Sequence, residues 1–151
     1  MRRQVNLTHD YPDVSAERLW RLVTDYAALH EISAPFITFT GVPLDGHVSV
    51  GDDWKARVQL FGRLPAQDYR MRVVACDQTD MTFRSEECGA GVDAWIHELN
   101  VKETDGGSSL RERIAIDAGV LTPLFAAWAR FLYGRRHGKR LAILARDKAH
   151  E

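Results

Sequence analysis

The sequence predicts an α+β fold with one antiparallel sheet of seven strands, two short helices after the first strand, and a long C-terminal helix. Two patterns support this prediction. Apolar and polar side chains alternate through six successive segments between residues 36 and 117, and apolar side chains recur at helical spacing from residue 122 onward. The connections between the strand-like segments are short, which makes neighbouring strands antiparallel, because a parallel pair needs a long crossover.

Length and composition fit one globular domain that spans residues 1–151. The chain has 151 residues, of which 45% are hydrophobic and 27% are charged, so it can bury a sizeable core. No internal repeat, linker or low-complexity segment divides it. The formal net charge of −1 gives the molecule no strong attraction to nucleic acid or to an anionic membrane.

The cysteine content and the N-terminal residues predict a cytoplasmic location. Cys76 and Cys88 are too few for a disulfide scaffold and are expected as reduced thiols. Arg2 and Arg3 are not followed by the apolar run of a signal peptide. No stretch approaches the roughly 20 apolar residues that cross a bilayer, so we expect no stable membrane insertion.

Two short helices are expected directly after a first strand at residues 3–10. Ser15 is a good N-cap for the first helix. The second helix is predicted from Asp25 to Ile32 with Thr24 as its N-cap. Pro35 ends it, because the residue before a proline avoids helical backbone angles.

Period-two alternation then predicts six strands and the inward face of each. On the first long strand, Trp54, Ala56 and Val58 share one face, while their neighbours are charged or polar. Asp105-Gly106 is a strong hairpin signal before the last strand. The six predicted strands are residues 36–40, 52–62, 66–77, 81–88, 92–104 and 109–117.

The final segment is predicted as a helix from Thr122 to about Arg146. Thr122 is the expected N-cap, and Pro123 occupies the first helical position, where its missing N–H costs nothing. At 1.5 Å per residue such a helix is about 37 Å long, enough to cross a whole domain. The predicted inward stripe is Leu124, Phe125, Trp128, Phe131 and Leu132.

With this order of elements the chain resembles the START-like superfamily, also called SRPBCC or Bet v 1-like, and within it the polyketide cyclase/dehydrase-type bacterial proteins. The residues that carry the resemblance are 14–26 after the first strand, Gly51 with Trp54, and 121–124 at the start of the last helix. The resemblance implies a helix-grip fold, in which the curved sheet wraps around the C-terminal helix and encloses a cavity. Members bind lipids, sterols, polyketides, quinones or other apolar ligands, and some cyclise aromatic polyketides.

His97 is the candidate acid or base. On residues 92–104 the odd positions carry the larger apolar side chains, which places His97 between Trp95 and Leu99 on the concave face, with Asp93 nearer the rim. A neutral imidazole there can hydrogen-bond a ligand or move a proton. The alternative is a core histidine that is bonded to a protein acceptor.

Three further polar side chains share parity with inward apolar residues. Glu87 and Glu112 would face the cavity, where burial raises the pKa of a carboxyl group unless a cation pairs with it. The alternative for both is a rim position paired with an arginine such as Arg84 or Arg113. Tyr69 would supply a hydroxyl to an apolar pocket, or would be a core tyrosine whose hydroxyl reaches water.

The second half of the final helix is basic, with seven lysines or arginines against one acid in residues 130–148. Arg135, Arg136, Lys139 and Arg140 form its densest part, which would attract an anionic head group or a membrane surface, or would be a solvated face. We expect the first half of this helix to wall the pocket and the second half to lie over the sheet edge or reach a partner.

The predicted partner is therefore a hydrophobic small molecule, with no nucleic acid, no metal and no cofactor, and a homodimer is allowed. Histidine and cysteine spacing matches no metal site, and no phosphate-binding loop or nucleophile elbow occurs. The predicted ligand-binding residues are Trp54, Tyr69, Met71, Phe83, Glu87, Asp93, Trp95, His97, Phe125 and Trp128.

Three functions follow from these residues. The first is a non-catalytic carrier of a lipid, polyketide, quinone or aromatic compound. The second is a cyclase or dehydratase in which His97, helped by Tyr69, Glu87 or Asp93, is the acid/base. The third is a protein-interaction module that uses the basic C-terminal helix.

Overall fold

Seven strands and three α-helices follow one another in the expected order. The computed structural model describes residues 2–150. The elements are β1 (Arg2–Pro12), α1 (Ala16–Val23), α2 (Tyr26–Ser33), β2 (Ile37–Thr40), β3 (Asp53–Leu60), β4 (Gln67–Asp77), β5 (Thr82–Gly89), β6 (Val92–Thr104), β7 (Gly107–Asp117), a 3-10 turn (Gly119–Leu121) and α3 (Thr122–Ala149).

The strands form one antiparallel sheet in the order β1-β7-β6-β5-β4-β3-β2. Consecutive strands from β2 to β7 are neighbours, and β1 closes the order by pairing with β7, with Val5 opposite Ile114. The sheet is curved and wraps around α3, while α1 and α2 lie between β1 and β2 in the chain. The predicted fold class, a helix-grip arrangement, is confirmed.

The first two helices begin where short polar side chains satisfy their free N–H groups. Ser15 Oγ accepts a hydrogen bond from Arg18 N at 3.2 Å, which confirms Ser15 as the N-cap of α1. The predicted cap of α2 was wrong by one residue. Asp25 caps that helix by accepting from Ala27 N at 3.0 Å. Thr24 instead turns its hydroxyl back to donate to Trp20 O at 2.8 Å.

The long helix α3 buries a face that matches the predicted stripe only in part: Phe125, Trp128 and Leu132 face the interior. Leu124 and Phe131 are 65% and 46% exposed, so their place in the inward stripe was wrong. Ala129 is completely buried, because the helix lies so close to the sheet that only a small side chain fits at the contact. The buried face is Thr122, Ala126, Ala129, Leu132, Tyr133, Arg136, Arg140, Ile143 and Leu144.

The second half of α3 packs on the sheet at its β1 edge. Ile143 and Leu144 are buried in one apolar cluster with Tyr11, Leu19 and Leu110, and Tyr11 lies on β1, the edge strand. This agrees with the expectation that this half lies over the sheet edge, and that it reaches a partner stays a prediction.

At two places an irregular strand pairing changes which alternate side chains point to the interior of the sheet. The register changes between Glu87 and Gly89 on β5, where Gly89 has φ of +117° and an added Cβ would lie 2.3 Å from Asp68 O. Opposite this point Val92 is buried and Asp93 is exposed. The predicted inward position of Asp93 was wrong, because the irregularity reverses the alternation at the start of β6. A second shift on β4 lies between Val73 and Ala75.

Candidate functional site

Two adjoining cavities lie between the sheet and the helices. Each has a volume of about 80 Å³, which is several times the space that one ordered water needs. The α2 cavity lies under the short helices and includes Leu29 and Ile32 in its wall. The Trp128 cavity lies beside α3 and includes Leu60 and Trp128. Four residues line both cavities: Phe39, Glu87, Tyr133 and Arg136.

Nine of the ten predicted ligand-binding residues line one or both cavities, and that they contact a ligand stays a prediction. Asp93 is the exception, since it lies in an outer depression beside Arg2 and Arg72. The residues on the α2 cavity are Trp54, Met71, Phe83, Glu87 and His97. Those on the Trp128 cavity are Tyr69, Glu87, Trp95, Phe125 and Trp128.

Glu87 is held at the junction of the cavities by two hydroxyl groups. Tyr69 donates to Oε1 at 2.9 Å and Ser85 donates to Oε2 at 2.6 Å. Burial, reinforced by the negative charge of Glu87, raises the pKa of Tyr69 well above its ordinary value, so this hydroxyl keeps its proton and remains a donor. Neither Arg84 nor Arg113 pairs with Glu87, because Arg84 instead bonds Glu98 at 3.3 Å.

Tyr133 presents a third hydroxyl at the same junction. Its oxygen accepts from Trp95 Nε1 at 3.4 Å, and no acceptor within residues 2–150 takes its proton. Burial raises the pKa of Tyr133 to about 12, against the opposing effect of Arg136. The hydroxyl is therefore protonated at neutral pH and is free to donate to a bound molecule.

Arg136 is buried at the junction and forms no ion pair with any described residue. Its Nη2 donates to Ser33 Oγ at 3.1 Å, and its guanidinium carbon lies 4.3 Å from the centre of the Tyr133 ring. Its Nε is shielded from solvent and has no hydrogen-bond partner. The side chain is 5% exposed, and burying a charge this deeply without a counter-ion is costly.

Glu112 is the centre of a buried hydrogen-bonded group that joins three elements. Its Oε1 accepts from Arg140 Nη1 at 3.1 Å, and its Oε2 lies 2.8 Å from His97 Nε2. Burial alone would raise the pKa of Glu112, but Arg140 and the hydrogen bond from His97 outweigh burial and hold the pKa far below its ordinary value. The rim position considered for Glu112 was wrong, because the side chain has no exposed surface.

The ionised Glu112 sets the tautomer of His97. A carboxylate only accepts, so His97 Nε2 carries the proton of this bond, and in the tautomer that results Nδ1 is the acceptor. His97 lines the α2 cavity, and its ring also packs edge-on against Tyr133 at 5.0 Å between centroids. The arrangement therefore contains both predicted features, a protein-bonded core histidine and a cavity-lining imidazole.

The basic segment of α3 is only partly a solvated face. Arg136 and Arg140 are buried, Lys139 donates to Ala34 O, and only Arg135 is exposed, with its guanidinium 5.6 Å from the Phe36 ring. Sequence reasoning missed the inward role of the two buried arginines. The sequence did contain a signal for this role. Arg136 and Arg140 follow Leu132 at intervals of four residues, and residues four apart lie on the same face of a helix.

A cluster of aromatic rings lies beside the Trp128 cavity. Phe36, Phe61, Trp128 and Phe131 contact one another with centroid separations between 5.2 and 6.3 Å. Phe61 is 50% exposed, so the cluster reaches the surface where β3 ends. These rings form an apolar rim next to the interior space.

Neither a metal-binding cluster nor a membrane-spanning helix occurs in the part of the chain that the structure describes. Residues 2–150 contain no group of three or more histidine, cysteine or acidic side chains that is placed to hold a metal ion. No helix in that range is both long enough and apolar enough to span a bilayer.

Comparison with known proteins finds one family and many structures of the same fold. The sequence model of a family described as "Domain of unknown function (DUF8410)" matches residues 12–144. No curated protein matches the chain. A protein from Rhodobacter sphaeroides is similar with a TM-score of 0.72 at 16% identity, over 94% of this chain and 92% of that one.

Two similar structures are enzymes by name. Norcoclaurine synthase from Thalictrum flavum, as a point mutant in complex with a transition-state analogue, has a TM-score of 0.68 at 12% identity, over 96% of this chain and 97% of that one. The Zhui aromatase/cyclase from Streptomyces sp. R1128 has a TM-score of 0.63 at 15% identity, over 94% and 90% of the two chains. Identities this low show a shared Bet v 1-like fold and no more.

Proposed function

Because the chain belongs to the DUF8410 family, a domain of unknown function, and has the Bet v 1-like fold, we propose from the geometry of its interior that it binds an apolar small molecule. One observation carries the proposal: two adjoining cavities with apolar walls share a polar junction. Binding sites for small molecules typically combine apolar walls with a few well-placed polar groups. Glu87, Tyr133 and Arg136 are those groups here.

The division of the interior suggests how the ligand lies. Apolar parts of the molecule occupy the α2 cavity, the Trp128 cavity or both, and a polar group sits between them at Tyr133 and Arg136. Burying roughly 200 Å² of apolar ligand surface contributes about 5 kcal/mol before the costs of association. The polar junction then sets orientation, and the ligand class is an elongated lipid, polyketide, quinone or aromatic compound.

The direct test is a fluorescence titration with a neutral apolar dye, N-phenyl-1-naphthylamine, whose emission rises in an apolar site. Leu29→Trp adds bulk to the wall of the α2 cavity. Leu124→Trp makes the same change on the exposed side of α3, where the native side chain is 65% exposed, and serves as the matched control.

We expect the native protein and Leu124→Trp to bind the dye alike. Leu29→Trp should weaken binding by about tenfold, which corresponds to about 1.4 kcal/mol. Equal loss in both variants, or dye binding by the native protein that neither variant alters, would show that the cavities are not the binding site.

A second candidate function is acid–base catalysis on the bound ligand, as in a cyclase or dehydratase. The observation that favours it is the bond between His97 Nε2 and Glu112 Oε2, which leaves Nδ1 as an acceptor beside the α2 cavity. A base oriented by a carboxylate can take a proton from carbon next to a carbonyl. The hydroxyl of Tyr133 and the guanidinium of Arg136 could stabilise the enolate oxygen that forms.

Proton exchange tests this second candidate without a known substrate. The protein is mixed with 2-acetylnaphthalene in D₂O, and loss of the methyl proton signal is followed by NMR. Catalysis predicts exchange that His97→Gln abolishes while dye binding is kept. If the protein binds the ketone but its methyl protons exchange no faster than without protein, the result contradicts catalysis and supports the carrier function.

The interaction module considered from the sequence has less to support it. Its contact surface was the basic part of α3, and two of the four residues in that segment point into the interior. Arg136 and Arg140 are unavailable to a protein partner, so Arg135 is the one exposed cation of the four.

A further inference from the structure

We propose that Arg136 binds an anionic oxygen group, in the first place a carboxylate, at the polar end of the ligand. The inference rests on the proposed function and names the class of molecule more closely. The ligand is an amphipathic organic acid whose carboxylate lies at the junction of the two cavities and whose apolar part fills one or both of them.

The first reason is that Arg136 lacks the partner that its burial demands. Arg140, one turn further along α3, is equally shielded, and its Nε also lacks a partner, but its Nη1 pairs with Glu112 at 3.1 Å. Among the described residues Arg136 bonds the neutral hydroxyl of Ser33 and packs on the face of Tyr133, while the charge of Glu112 acts on it without forming an ion pair. A buried guanidinium is stabilised far better by an anion, and an anionic ligand supplies the missing one.

The second reason is position. Arg136 is one of the four described residues that line both cavities, so its side chain borders the space that a ligand would fill. Its Nε has no partner among residues 2–150, and the hydroxyl of Tyr133, on a neighbouring side chain, has no acceptor there. A charged guanidinium beside a neutral hydroxyl donor suits the two oxygens of a carboxylate.

Glu87 faces the same junction and restricts where an anionic group can bind there. Its negative charge opposes an incoming anion, although Tyr69 and Ser85 already donate to both of its oxygens. The carboxylate is therefore expected on the Arg136 side of the junction. It follows that neutralising Glu87 should strengthen binding of an acid, while neutralising Arg136 should weaken it.

The test compares two ligands of equal chain length, decanoic acid and 1-decanol, by isothermal titration calorimetry at neutral pH. The native protein should bind decanoate about tenfold more tightly than decanol. Arg136→Gln should weaken decanoate binding far more than decanol binding, so that the preference falls to less than about twofold. Arg135→Gln, which removes an exposed arginine from the preceding position, should keep the full preference.

The variant Glu87→Gln allows the same comparison of affinities even if Arg136→Gln does not fold. It should raise the affinity for decanoate relative to the affinity for decanol, and so increase the preference for the acid above that of the native protein. Equal affinity of the native protein for the acid and the alcohol would overturn the assignment of Arg136 but not the proposed function. If neither the acid nor the alcohol binds, both the assignment of Arg136 and the proposed function are overturned.

Discussion

Arg140 Nη1 donates to Glu112 Oε1 over 3.1 Å, and both side chains are almost completely shielded from solvent. The bond joins α3 to β7 across the core. Because His97 bonds the other oxygen of the same carboxylate, β6 belongs to the group as well. A charge pair at this depth makes the position of the long helix depend on three specific side chains.

Removing one member of that pair should be strongly destabilising. Arg140→Met leaves the Glu112 carboxylate buried without its cation, and we expect the free energy of unfolding in urea to fall by about 3–5 kcal/mol. Arg146→Met removes an arginine that pairs with Glu31 at the surface, where it is 54% exposed. That control should change stability by less than about 1 kcal/mol. Similar losses in the two variants would contradict the account.

Glu112 should also shape the acid sensitivity of the fold. Its pKa is held far below the ordinary 4.5 in the native state, so only the unfolded chain takes up its proton as the pH falls through 4.5. The stabilisation is therefore present above pH 4.5 and is lost below it. In urea titrations between pH 6 and pH 3, the difference in stability between native protein and Glu112→Gln should shrink by up to about 1.4 kcal/mol per pH unit. A difference that does not vary with pH would argue that Glu112 is not ionised.

A second pH effect is expected from His137, which stacks on His9 at 4.5 Å between ring centroids. Burial, followed by His9 and Arg140 and opposed by Asp10, lowers the pKa of His137 below its ordinary 6.5. The unfolded chain binds the proton more readily, so stability from this site is present above pH 6.5 and falls as the pH drops. His137→Phe should flatten the change in melting temperature between pH 7.5 and pH 5, and His150→Phe at the exposed end of α3 should not. An unchanged slope in His137→Phe would contradict this.

Two glycine substitutions should have opposite effects on the melting temperature. Gly134 lies in α3 with no atom within 4 Å of an added Cβ, so Gly134→Ala should stabilise the protein by about 1 kcal/mol. Gly89 has a positive φ and no room for a Cβ beside Asp68 O. Gly89→Ala should therefore lower the melting temperature and disturb the irregular pairing that turns Asp93 outward. A stabilising Gly89→Ala would show that this irregularity does not depend on the glycine.

The sequence predicted those features that depend on local alternation. Trp95, His97 and Leu99 were placed inward because a strand has a period of two wherever its pairing is regular. Asp93 lies only two residues before Trp95 and was misplaced, since the irregular pairing arises from a close approach between Gly89 and Asp68 on another strand. Contacts of that kind leave no local pattern.

The same distinction explains the errors on α3. Helical spacing established that the segment is a helix, but size alone wrongly placed Leu124 and Phe131 on the inward face, where the small Ala126 and Ala129 contact the core instead. The inward role of Arg140 depends on Glu112, 28 positions earlier in the chain, and no local pattern joins the two. Buried charges are predicted from sequence only when their partners are known.

The most direct measurement of the central claim is a set of intermolecular NOEs from bound 1-decanol to the protein. If the ligand occupies the interior, its methylene protons should show NOEs to Tyr69, Phe125 and Leu132, which line the Trp128 cavity, or to Leu29 and Met71 in the α2 cavity. NOEs confined to exposed side chains such as Leu124 and Phe131, or a saturable complex with none to the cavity walls, would contradict the claim that the interior binds the ligand.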